Sequence, residues 1–64
     1  MSKKDALLGE LAAAEGAKRS GNRTYADYHL QMARSYLEAV RLSRAERQQV
    51  AQRMKWISLF VSRK

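Results

Sequence analysis

The chain has no cysteine and no proline, only three glycines, one histidine, one tryptophan and one phenylalanine. Without cysteine there is no disulfide and no zinc–thiolate site. His29 alone cannot supply the roughly four ligands that a structural metal site needs, so no cofactor is expected. With proline absent, the strongest helix breaker is missing. Residues that favour helix, among them alanine, leucine, arginine and glutamine, are frequent. No apolar run approaches the roughly 18 residues of a membrane span. Lys3 and Lys4 ahead of Ala6, Leu7 and Leu8 imitate the start of a secretory signal, but Asp5, Glu10 and Glu15 interrupt it. The expected setting is the cytoplasm.

Acid is scarce too. Six Asp and Glu stand against 13 Lys and Arg, for a formal charge of +7. Residues 1–32 hold five cations and four acids, and residues 33–64 hold eight and two. The excess therefore lies in the second half. It favours an anionic partner: an acidic protein surface, nucleic acid or an anionic membrane face. At 64 residues the chain makes one domain. A domain this small buries only about 60% of its unfolded surface, so a partner or a second copy is the expected extra source of stability.

Three signatures of Ser or Thr followed three residues later by an acid mark helix starts: Ser2 with Asp5, Thr24 with Asp27, and Ser43 with Glu46. Lys18 and Arg19 before Gly21 make a stop, and Arg63 with Lys64 closes the chain the same way. An all-α, three-helix bundle follows, with helices near residues 3–19, 25–42 and 44–62, the last two forming an antiparallel hairpin. Nothing at residues 41–45 is a strong breaker, however. The alternative is one long helix through both, paired in a coiled-coil dimer.

Helical spacing then assigns faces. In the first helix Leu7, Leu11 and Ala14 share a stripe, with Leu8 beside it. Ala6, Gly9, Ala13, Gly16 and Ala17 make the opposite side small. The second helix has two adjoining apolar stripes: Tyr25, His29, Met32 and Tyr36, then Ala26, Leu30, Ala33, Leu37 and Val40. In the third, Val50, Met54, Ile57 and Val61 form a core stripe. Trp56, Leu59 and Phe60 point elsewhere, and no single packing face buries both groups. That surplus is the most informative feature of the sequence.

Nothing in the chain gathers as a catalytic site would. No phosphate loop, metal spacing or nucleophile motif occurs, and His29 reads as a hydrogen-bonded core residue. The acids fit helix caps or pairs within one helix, and Arg34, Glu38 and Arg41 form the pattern of a salt-bridged, solvated face. Arg44 and Arg47 differ, because cations in a first helical turn oppose the helix dipole. A DNA-reading role is thinly supported: Gln48, Gln49, Gln52 and Arg53 can reach base edges, but the preceding turn lacks glycine. The sequence therefore predicts no enzyme. It predicts a basic protein-binding module, of adaptor or inhibitor type, that docks on an acidic partner or on its own copy. Trp56, Leu59 and Phe60 would anchor it, and Arg44, Arg47, Arg53 and Lys55 would supply charge. A nucleic-acid binder using the basic half, and a structural homo-oligomer, are the competing readings.

Overall fold

A computed structural model describes residues 2–63, so the expectation placed on Lys64 lies outside the described residues. Three helices follow one another: α1 (Lys3–Arg19), α2 (Arg23–Ala39) and α3 (Arg44–Ser62). Among the described residues there is no strand.

Each helix starts on a side-chain cap. Ser2 Oγ accepts from the Asp5 amide at 3.1 Å. Ser43 and Glu46 form a reciprocal capping box: the Glu46 amide donates to Ser43 Oγ at 3.1 Å, and the Ser43 amide donates to Glu46 Oε1 at 3.0 Å. The cap of α2 is Asn22, not Thr24; Asn22 Oδ1 accepts from the Tyr25 amide at 3.1 Å. The reason lies in how α1 ends. Gly21 adopts a φ of 75°, the left-handed conformation that glycine enters without strain. The Gly21 amide then donates to Lys18 O at 3.0 Å and the Asn22 amide to Ala17 O at 2.8 Å, a Schellman stop. Asn22 thus closes one helix with its backbone and opens the next with its side chain, and α2 begins two residues before the expected 25.

The far end of α2 also departs from the expectation of 42. Val40 is extended, and residues 40–43 form a non-helical connector. Ser43 must itself be extended to cap α3, with ψ at 166°, so the helix has to end early enough for the chain to reverse. Leu42 turns inward and packs against the core from this connector. A single continuous helix through this region is ruled out, and the bundle stands.

The core is Leu7, Leu11, Ala14 and Ala17 from α1, Ala26, Leu30 and Ala33 from α2, and Val50, Met54 and Ile57 from α3. Leu7, Leu11, Leu30 and Ile57 are its largest fully buried side chains. Each contributes about 1.5–3 kcal/mol by leaving water. The four alanines let α1 and α2 approach closely, and this is the most extensive helix pairing in the molecule. Ala17, expected on the small outer side of α1, is part of it. Of the two stripes on α2, the one through Ala26, Leu30 and Ala33 faces inward. Tyr25 and Tyr28 stay 60% and 56% exposed, and their rings meet His29 edge-on at 5.5 and 5.0 Å.

Candidate functional site

Packing of α3 on its core stripe decides what is left outside. Counting from Val50, Trp56 sits about 120° round the helix and Leu59 about 180°. Burying Val50 and Ile57 therefore leaves Trp56 56% and Leu59 48% exposed, while Phe60, nearer the stripe, packs partly against the core. Trp56, Leu59 and Phe60 line a shallow, open cleft of about 150 Å³, completed by Lys18 of α1 and Arg63 just past α3. A 150 Å³ apolar cavity is known to accept a benzene-sized group, so this cleft has room for one large side chain. Lys18 Nζ lies 5.6 Å from the centre of the Trp56 ring, a cation–π contact of roughly 0.5–1 kcal/mol at such an exposed position.

The flank of α3 that carries Trp56 faces α1, and charge pairs run along this seam. Arg53 grips Glu15 with two parallel bonds, Nη2 to Oε1 at 2.6 Å and Nε to Oε2 at 2.8 Å. The bonded guanidinium holds the Glu15 carboxyl below the ordinary carboxylate range, against the opposing effect of partial burial. It is itself held above its ordinary value by the same bond. Lys4 pairs with Glu46, and this contact, together with the Ser43 cap, lowers Glu46 from 4.5 to about 2. Partners 4 and 15 meet 46 and 53 in ascending order, so α1 and α3 run parallel. On the other side of α1, Glu10 Oε2 lies 2.9 Å from His29 Nδ1, joining α1 to α2.

These contacts correct two expectations. Glu10 and Glu15 reach across to other helices instead of pairing within their own, while Glu46 caps its own helix as expected and also meets Lys4 of α1. Conversely, Arg34, Glu38 and Arg41 make no ion pair with one another; among the described residues they have no oppositely charged group within 4.0 Å.

The structure divides the expected partner-binding set in three. Trp56, Leu59 and Phe60 come together. Arg53 is near them but committed to Glu15. Arg44, Arg47 and Lys55 lie on the opposite flank of α3, at about 120°, 60° and 140° from Val50 in the other sense, and all three are exposed. The cations beside the cleft are Lys18 and Arg63. Arg63 is legible as a neighbour of Phe60 in sequence. Lys18 is not, because nothing local to α1 says which end of α3 it will meet. Among the described residues no three His, Asp or Glu side chains gather as a metal site would require, and no helix is long and apolar enough to cross a membrane.

Comparison with protein-family models, with curated proteins and with solved structures gives no significant match.

Proposed function

We propose that this chain is a small basic protein-binding module, without catalysis of its own, that docks through the cleft of Trp56, Leu59 and Phe60. The observation that carries this reading is a large exposed apolar pair beside a recess sized for one side chain, with two cations at its rim. A small soluble domain rarely leaves such a cluster uncovered, and tryptophan at a recess is a common interface anchor. The charge selects the occupant. A second copy would bring +7 against +7, whereas an acidic segment would set carboxylates against Lys18 and Arg63. The partner is therefore an acidic protein segment that presents one large apolar side chain to Phe60. A cytoplasmic setting is part of the same reading.

Trp56 is the sole tryptophan, so its emission reports docking directly. The probes are short glutamate–alanine peptides with one central Phe or, as control, one central Gln. The Phe peptide should shift the emission to the blue and saturate. The Gln peptide should bind about tenfold more weakly, the equivalent of about 1.4 kcal/mol. Reversing Lys18 and Arg63 to Glu should abolish the shift while leaving the helical circular dichroism intact. Equal response to both peptides, or sedimentation showing a dimer that Trp56→Ala makes monomeric, would overturn the acidic-partner reading.

A further inference from the structure

The flank of α3 away from the cleft has a different character. Arg44, Arg47, Ala51, Lys55, Ser58 and Ser62 follow at steps of three or four, which on a helix makes one continuous ribbon. The ribbon holds no acid and nothing apolar larger than alanine. None of its three cations has a carboxylate within 4.0 Å among the described residues. Arg41, in the connector three residues before Arg44, is also exposed. Glu46, the one acid within α3, lies on the flank toward α1, where it pairs with Lys4.

Helix formation does not explain these cations. Arg44 and Arg47 sit in the first turns of α3, where the helix dipole disfavours positive charge. Nor does the ribbon resemble a protein interface, since it lacks a large side chain to seat. It also has nothing to insert below lipid headgroups. It fits phosphate. Guanidinium forks match phosphate oxygens in pairs, and Ala51 and Ser58 leave room for a sugar–phosphate backbone to approach. Arg44 to Lys55 spans about 16 Å at 1.5 Å per residue, enough for several phosphates. No aromatic ring on the ribbon offers the stacking platform that single strands use.

We propose that this ribbon binds the phosphodiester backbone of duplex nucleic acid without reading its sequence, a second surface independent of the docking cleft. Fluorescence anisotropy with a labelled duplex of mixed sequence tests it. Binding should fall in the range of about 10⁻⁴ to 10⁻⁶ M usual for non-specific contacts. With three to four phosphates neutralised, raising salt from about 50 to about 200 mM should weaken it by about 40- to 150-fold.

The decisive comparison is between two variants of equal net charge. Arg44→Glu with Arg47→Glu should remove duplex binding and stay folded, because acid is favourable in a first helical turn. Lys18→Glu with Arg63→Glu should bind duplex nearly as well as the unaltered chain. Equal loss in both charge-reversed variants would mean that net charge alone is read, and would overturn the proposal. No complex even at low salt would overturn it too. So would tighter capture by a single strand, or by phosphatidylserine vesicles, than by the duplex.

Discussion

Two glycines stand inside α1, at positions 9 and 16, and nothing in the monomer uses them. A methyl group built at Gly9 meets no atom within 4 Å, and one at Gly16 meets only the Arg19 guanidinium, at 3.9 Å. Neither has a positive φ. Each therefore carries the backbone-entropy penalty of a helical glycine with no packing return, about 0.5–1 kcal/mol relative to alanine. Gly9 lies mid-helix and should give the upper value; Gly16, in the last turns, the lower. The double substitution to Ala should stabilise the fold by about 1.5 kcal/mol. Unfolding entropy of about 2.1 cal/mol/K per residue makes about 0.13 kcal/mol/K for this chain, so the melting midpoint should rise by about 10 °C. Thermal circular dichroism in the far ultraviolet checks this at two protein concentrations. The shift should be the same at both. An unchanged or lowered midpoint, or one that depends on concentration, would refute the reasoning. It would mean that the outer face of α1 is packed against another backbone in solution.

Asn22→Ala should destabilise by about 1 kcal/mol in denaturant melts, because it removes the α2 cap, whereas Thr24→Ala should stay within about 0.5 kcal/mol. Ile57→Ala, at a fully buried position, should cost about 2–5 kcal/mol and unfold much of the population; Trp56→Ala should retain a cooperative transition. Acid should loosen the α1–α3 seam. Glu15 and Glu46 have lowered values in the fold, so their contribution is complete above the ordinary carboxylate range and is lost as pH falls through the lowered ones. Carboxyl titration by nuclear magnetic resonance should place Glu46 near 2, and Lys4→Ala should move it back up. Arg53→Gln should raise the Glu15 value and, because this pair is partly solvated, cost only about 1 kcal/mol.

What could be read from the sequence was what one helix settles alone. Ser2 and Ser43 announce their caps because both partners lie within one turn. The surplus of Trp56 and Leu59 is legible because a stripe through Val50, Met54 and Ile57 already exhausts one packing face. Asn22 escaped because its cap has no acid three residues on, and because Thr24 offered a competing signature nearby. Rotation and register between helices were not legible. They decide that Glu15 meets Arg53, that Glu10 meets His29, and that Lys18 covers Trp56. They also separate Arg44 and Arg47 from the aromatic cluster, which sequence proximity had merged into one site.

The close alanine packing of α1 on α2 contrasts with the charged seam that ties α1 to α3. The tyrosine-faced hairpin and the third helix should therefore differ in local stability, with α3 opening at the smaller free energy. Salt and acid reach its electrostatic ties first. Any occupant that rests on both Lys18 and Trp56 bridges the two units. Docking then acts as a clasp: hydrogen exchange in α3 should slow on binding while that of the α1–α2 hairpin hardly changes.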